Sequence, residues 1–247
     1  MKIIISPAKK LNESKILLSN TSKVIFEKEA NILIKHLQSY SVVELKKIMK
    51  ISDNLSKLNY DRFQNFDLNS EDSAPAVLLF KGDVYKGLQA DNFSEDTLKY
   101  TQKKLRILSG LYGILRPLDR IYPYRLEMGT SLVNDRGSDL YSFWGDMVKN
   151  SLLSEMDKDE CLINLASNEY SKVLSLKSFD RKVITPVFKD FKNGKLKVIS
   201  FFAKRARGEM ANFILTNRIV QVSDLKNFEY DGYRYSDEIN NQLLFTR

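Results

Sequence analysis

The stretch Leu105 to Thr130, LRILSGLYGILRPLDRIYPYRLEMGT, constrains the fold more than any other part of the chain. Leu105 to Leu108 is a short apolar run suited to a buried strand. Ser109, Gly110 and Gly113 follow it, where the backbone must turn sharply or pass close to another group. Pro117 and Pro123 push Arg116 and Tyr122 toward extended conformations, so the walk from Arg116 to Tyr124 is ordered without being helical. Three arginines project from the part that begins at Arg116: Arg116, Arg120 and Arg125. Each carries a fork of donors that matches a phosphate or a carboxylate, and Asp119 and Glu127 lie near enough in sequence to orient two of them. The same pattern suits a rigid loop whose arginines pair with the chain's own carboxylates, and it suits a ligand site.

Charge and rare residues narrow the chemistry. The net charge is +8 over 247 residues, modest for this length, so its distribution matters more than its total. Lys99 to Arg125 and Lys189 to Arg207 each hold a local +6, which leaves the rest of the chain at −4. A surface polarised in this way suits phosphate backbones or anionic substrates, and also describes a pair of solvated faces. One histidine, His36, and one cysteine, Cys161, are present. A Ser-His-Asp or Cys-His arrangement would have to use His36, which sits on an amphipathic helix with no nucleophile motif around it. A zinc site is not expected from one His, one Cys and carboxylates, and no metal or other cofactor is predicted. The single cysteine rules out an intramolecular disulfide and fits a reducing compartment. No apolar run approaches a membrane span, so a cytoplasmic protein with no membrane partner is expected.

Six motifs in order carry a resemblance: SPAKKL at Ser6 to Leu11, FKGDVYKGL at Phe80 to Leu88, SGLYGILRPLDRIYPYRLEMGT at Ser109 to Thr130, DLYSFWGD at Asp139 to Asp146, NLASNEY at Asn164 to Tyr170 and FFAKRARGEM at Phe201 to Met210. With these the chain resembles the YaaA family of bacterial peroxide-stress proteins nearly end to end. The resemblance implies a cytosolic protein associated with oxidative stress and DNA repair. It further implies DNA binding, to duplex or branched forms, through a positively charged cleft and a helix-hairpin-helix element. It brings no established reaction.

Taken in order, Lys2 to Ile5 reads as a strand delivering Ser6-Pro7-Ala8-Lys9 to its end, where Lys9 is a candidate anion ligand. Phe26 to Gln38 is an amphipathic helix. Ser41 with Glu44 forms a capping box opening a helix to about Met49. Ser52 caps a short helix expected to end at Asn59, before another begins at Tyr60. The turn Lys57-Leu58-Asn59 is therefore the predicted position of the family's hairpin, with Lys57 a side-chain contact in place of the usual glycine; an ordinary packed helical hairpin fits as well. Ala76 to Phe80 reads as a strand running into Lys81-Gly82-Asp83, whose glycine spacing lacks the Lys-Ser/Thr of a P-loop. Ser94 starts a helix to about Lys104. Ser138 is expected to cap one helix from Asp139 to about Met156, with Trp144 in the core. Cys161 to Leu165 is a strand, with Ser167 and Asn168 at its end and Glu169 and Tyr170 as acid/base candidates. Asn193-Gly194 is the strongest hairpin signal, between strands predicted over Val183 to Phe191 and Leu196 to Phe202. Lys204 and Arg207 then share a helix face, while Arg205 points elsewhere. Tyr233 to Tyr235 and Gln242 to Thr246 close the chain as a hairpin.

These readings predict an α+β fold: a single domain over residues 1–247, with a mixed β-sheet, amphipathic helices and a basic cleft, and not a standard superfold. The candidate anion- or DNA-binding residues are Lys9, Lys57, Lys81, Arg116, Arg120, Tyr124, Arg125, Lys204 and Arg207. Asp83, Glu127, Ser167, Asn168, Glu169 and Tyr170 are the supporting polar set. The leading expectation is largely sequence-independent DNA binding in peroxide stress. The alternative is an enzyme or sensor that holds a small anion such as a nucleotide in the same cleft.

Overall fold

Ile3, Ile4 and Ile5 are all fully buried, as a strand covered on both faces requires. The computed structural model describes residues 1–12, 14, 16 and 20–247. The isoleucines form β1 (Lys2–Ile5), which is followed by the two-residue β2 (Lys10–Leu11). Three helices come next: α1 (Glu27–Gln38), α2 (Val42–Met49) and α3 (Asp53–Gln64). Short elements β3 (Ala74–Pro75), α4 (Ala76–Leu79), β4 (Phe80–Lys81) and α5 (Asp83–Leu88) lead to α6 (Glu95–Lys104). The constrained stretch supplies β5 (Leu105–Ser109), β6 (Gly113–Leu115) and β7 (Arg120–Ile121). After α7 (Leu140–Trp144) and α8 (Met147–Ser154) come β8 (Leu162–Asn164) and the single-turn α9 (Asn168–Ser171). The last part holds β9 (Val183–Lys192), β10 (Lys195–Lys197), α10 (Ser200–Thr216), β11 (Arg234–Ile239) and β12 (Gln242–Thr246).

The main sheet runs in the order β11-β12-β9-β8-β1-β5-β6, with β10 hydrogen-bonded to β9. β1 is parallel to β5 and to β8, β8 to β9, and β9 to β12, whereas β6, β10 and β11 are antiparallel to their neighbours. The sheet is mixed and the class is α+β, as expected. Its order has a functional consequence. From β1 the chain departs toward β5 on one side, and from β8 it departs toward β9 on the other, so a topological switch point lies between the ends of β1 and β8.

Helices cover both faces. On one side Phe213 of α10 meets Phe228, whose ring meets Phe188 of β9. On the other, Glu155 at the end of α8 accepts from Lys2 and Arg106 on β1 and β5. α10 crosses α5 at Gly208 and Gly87, so closely that a methyl on Gly208 would stand 1.9 Å from the Val84 carbonyl oxygen. Trp144 is fully buried and donates to the Gly110 carbonyl at 3.0 Å, pinning α7 to the end of β5.

Local signals held where they were self-contained. Ser41 and Glu44 form the reciprocal capping box, and Asn193 and Gly194 both take positive φ in the β9–β10 turn. Four expectations need correction. No turn occurs at Lys57-Leu58-Asn59: α3 runs unbroken through it, because no Gly or Pro interrupts it and the buried Asn59 amide donates back to the Leu55 carbonyl at 2.8 Å. The turn joining α2 to α3 is Lys50-Ile51-Ser52, with Lys50 left-handed at φ 53°. Ala76 to Leu79 is one helical turn rather than a strand; the Ala76 and Val77 amides are satisfied by the Asp119 and Pro117 carbonyls. The helix expected over Asp139 to Met156 breaks at Gly145, where φ is 46°, and its cap is Asp139. The strand expected over Leu196 to Phe202 stops at Lys197, and α10 starts at Ser200.

Candidate functional site

The strand ends at the switch point bring together segments far apart in sequence. Ser6 follows β1 and Ser167 follows β8; the Ser167 amide donates to Ser6 Oγ at 2.9 Å and the two hydroxyls are 3.3 Å apart. Tyr85 of α5 donates to the Ser6 carbonyl at 3.1 Å. Ser109 ends β5; its Oγ lies 2.5 Å from Tyr124 OH and accepts from the Tyr112 amide. Gly110 is required here, because a side chain would strike the Leu126 carbonyl at 2.3 Å where the Tyr122 to Thr130 segment crosses the strand end.

That crossing segment carries the charges. Glu127 Oε2 is 2.6 Å from Lys9 Nζ, and its Oε1 is 3.0 Å from Arg125 Nη2, so one carboxylate sits between two cations. Partial burial pushes the Glu127 carboxyl up, but hydrogen bonds and charge from Lys9 and Arg125 outweigh it and leave its pKa below the ordinary glutamate value. The triad keeps one positive charge in excess. Glu169 Oε1 accepts from the Gly129 amide at 3.2 Å, and Tyr141 donates to the Glu169 carbonyl at 2.7 Å, which anchors α9 beside the segment. Tyr85, Tyr124 and Tyr170 are buried, and burial raises all three phenol pKa values, with the Tyr124 charge adding to the rise at Tyr85 and Tyr170. Protonated phenols donate hydrogen bonds and are poor bases. The arrangement therefore orients and neutralises an anion better than it abstracts a proton.

The candidates divide into groups. Lys9, Tyr124, Arg125, Glu127, Ser167, Glu169 and Tyr170 gather at the strand ends, and Asn168 stands exposed on α9 beside them. Arg116 and Arg120 do not join them. Arg116 pairs with the fully buried Asp119 at 3.0 Å and donates to the Lys23 carbonyl, while Arg120 donates to the Ser70 carbonyl at 2.7 Å. Both fasten the loop to its surroundings. Lys57 is exposed in the middle of α3. Lys81 and Asp83 line a cavity of about 800 Å3 that also includes Tyr85. Lys204 is exposed on α10, while Arg207 on the same helix is half-buried, and desolvation lowers its pKa. Among the described residues no group of three His, Cys, Asp or Glu side chains could hold a metal ion.

Four positions were not singled out in the sequence: Ser6, Tyr85, Lys10 and Lys86. Ser6 and Tyr85 fall inside two of the six motifs, and a serine directly after a central strand was a readable signal. Lys10 and Lys86 fall inside the same two motifs, but nothing local sets them apart from other surface lysines. Their placement depends on the nonlocal pairing of β2 with β4, which sets Lys10 opposite Lys81, and both lysines line the same cavity.

Sequence relatives match this chain nearly end to end. A family described as peroxide stress protein YaaA matches residues 1–239. A UPF0246 protein of Saccharophagus degradans is 46% identical over 254 aligned positions, covering 100% of this chain and 99% of its own length. Similar relatives occur in Teredinibacter turnerae, at 47% identity with 100% and 99% covered, and in Alteromonas mediterranea, at 48% with 100% and 98% covered. With matches that span nearly every residue, the chain belongs to the peroxide stress protein YaaA family.

Proposed function

We propose that this chain serves the peroxide-stress response in the cytoplasm by binding DNA through its phosphate backbone, with little dependence on sequence. One observation carries the reading. Antiparallel pairing of β2 with β4 sets Lys10 directly opposite Lys81, both exposed and neither with an ion-pair partner among the described residues. Like charges directly opposite one another destabilise a strand pair, so the fold tolerates a repulsion that a bound phosphate would relieve. Lys86 lines the same cavity, where the acids are Asp83 and Asp91. α10 presents the exposed Lys204, without an ion pair among the described residues, just beyond its crossing with α5. Lys192 and Lys195 form a second like-charged pair across β9 and β10. Base reading needs Asn, Gln and Arg aligned on a helix that fits the major groove, whereas these cations are lysines spread over β2, β4, β9, β10, the six-residue α5 and α10.

The test is an anisotropy titration with duplexes of unrelated sequence. Comparable affinities at low salt are expected, falling on a log–log plot with a slope of about −3 to −4 if roughly four phosphates are neutralised. No binding at low salt would sink the reading.

A second reading has its own support at the switch point. Ser6, Ser167 and three protonated tyrosines converge beside the Lys9–Glu127–Arg125 triad, a geometry suited to a small anion held by an enzyme or sensor. A saturable thermal shift with inorganic phosphate or a small carboxylate, abolished by Arg125→Ala and insensitive to moderate salt, would favour it over DNA.

A further inference from the structure

Behind α9 lies a second hollow. Asn164 of β8, Thr185 of β9 and Gln242 of β12 occupy one rung across three adjacent parallel strands: Gln242 pairs with Thr185, and the Asn164 amide donates to Thr185 Oγ1 at 3.4 Å. These three side chains floor a wide-mouthed cavity of about 930 Å3, walled by α9 and the chain that follows it, with Tyr141 at its side. Asn164 is spent internally, since its Oδ1 also accepts from the Ala166 amide at 3.1 Å. Gln242 is not. Its exposed amide has no hydrogen-bond partner among the described residues and offers one donor edge and one acceptor edge side by side, beside the Thr185 hydroxyl.

The rim is cationic. Lys172 and Lys177 stand exposed at the wall with no ion pair among the described residues; Lys172 rests its ammonium 4.4 Å from the centre of the Tyr141 ring. An adjoining hollow of about 420 Å3 shares Leu176, Lys177, Thr185 and Gln242, and adds Arg181 and Lys182. Arg181 donates through Nε and Nη1 to the Asp157 and Asp180 carbonyl oxygens, and among the described residues it meets no carboxylate. The one acid in the larger cavity, Asp146, is engaged by Lys149 at 3.0 Å. The trough thus has a planar amide at its floor, apolar contact from Val173 and Leu176, and a row of cations leading outward with no ion pair among the described residues. Its size falls within the usual range for small-molecule sites.

We infer that this trough binds a nucleoside phosphate: the base edge meets Gln242 and Thr185, its face lies against Leu176, and the phosphates run toward Lys177, Arg181 and Lys182. The amide reads a donor–acceptor pair of the kind every nucleobase edge presents, and the ammonium and guanidinium groups match the phosphates. A free nucleotide and the 5′-phosphorylated end of a strand share this chemistry. The site is distinct from Lys10 and Lys81, and from the Lys9–Glu127–Arg125 triad on the other side of α9.

The experiment is calorimetric titration of the whole protein with ATP, inorganic triphosphate and a 5′-phosphorylated oligonucleotide, repeated on Gln242→Leu and on Lys172→Ala/Lys177→Ala, all at exposed positions. One saturable ATP site is expected, weakened about tenfold or more in each variant. Triphosphate should bind more weakly than ATP and lose nothing to Gln242→Leu. Competition by the oligonucleotide would assign the site to strand ends, and lack of competition to free nucleotides; either outcome supports it. Absence of saturable binding with all three probes, triphosphate binding as tight as ATP, or ATP binding undiminished in both variants would overturn it.

Discussion

Gly208→Ala tests whether the crossing of α5 and α10 holds the site together. The added methyl would stand 1.9 Å from the Val84 carbonyl oxygen and 2.9 Å from the Leu88 amide nitrogen, and real contacts of this type stay above about 3.0 Å. The helices must therefore separate by roughly 1 Å along their closest line, a gap that forfeits up to about half of each dispersion contact across it. Overpacking costs about 1–3 kcal/mol, and the upper end applies because the obstruction is helix backbone and cannot swing aside. Alanine returns about 1 kcal/mol of intrinsic helix preference over glycine. The expected net loss is about 2 kcal/mol, which for a chain of this size lowers Tm by about 4–8 °C. Far-UV circular dichroism during heating and urea titration measures it.

The same displacement has a functional reading, because α5 carries Tyr85, which bonds the Ser6 carbonyl, and Lys86, which lines the cavity with Lys10 and Lys81. DNA affinity should fall with stability in the folded Gly208→Ala protein. Gly87→Ala attacks the contact from the other side, with its methyl 2.3 Å from the Arg205 carbonyl oxygen. Since one separation of the helices relieves both clashes, the double variant should lose less than the sum of the two single losses. A Tm equal to or above that of the parent protein for Gly208→Ala would refute the argument from close approach.

Glu127→Gln should lower stability at neutral pH by about 1–3 kcal/mol, since Arg125 is left partly buried without its carboxylate. Because the Glu127 pKa is depressed on folding, its contribution is present above the unfolded value near 4.5 and lost as pH falls through the lower folded value. The variant's stability should accordingly decline less steeply than the parent's in that acid range, and a parallel decline counts against the triad. Lys10→Glu with Lys81→Glu should weaken duplex binding and make the log–log salt slope shallower by about 2, read by anisotropy. Arg116→Ala should leave that slope unchanged, and a slope reduced as much as by the lysine pair would place Arg116 on the DNA. Asp119→Ala should cost about 3 kcal/mol or more, measured by urea unfolding, because it strips Arg116 and Ser22 of a fully buried acceptor.

The readings that survived rest on physics a few residues can settle. A capping box closes within four positions, and Asn193-Gly194 supplies two consecutive positive φ angles without help from elsewhere. Readings failed where tertiary contacts decided between states of similar local preference. Ala76 to Leu79 is a turn of helix because the Asp119 and Pro117 carbonyls, far along the chain, satisfy its first amides, and no local window of sequence contains them. Asn59 favours turns in isolation, yet here its amide is buried and bonded along its own helix, so the turn expected at Lys57-Leu58-Asn59 does not form and α3 continues through it to Gln64. At the strand ends, local spacing paired Arg125 with Glu127, but Lys9 reaches the same carboxylate only because β1 and β5 are neighbours.

Charge was legible in amount and not in availability. Four arginines gave the constrained stretch its local positive charge, and the fold commits each of them: Arg106 to Glu155, Arg116 to a buried aspartate, Arg120 to a carbonyl and Arg125 to a glutamate already shared with Lys9. A guanidinium with five directed donors suits this fastening role, since each bond it makes fixes a loop in a defined plane. Lysines are left over for a polyanion, and Lys10, Lys81, Lys86 and Lys204 carry no such bond among the described residues. An ammonium group holds a phosphate as a point charge and without a required plane, which is what sequence-independent binding needs. A cleft ranked by its arginines would centre on the loop at Arg116; ranked by its uncommitted charge, it centres on the β2–β4 pair and the α5–α10 crossing.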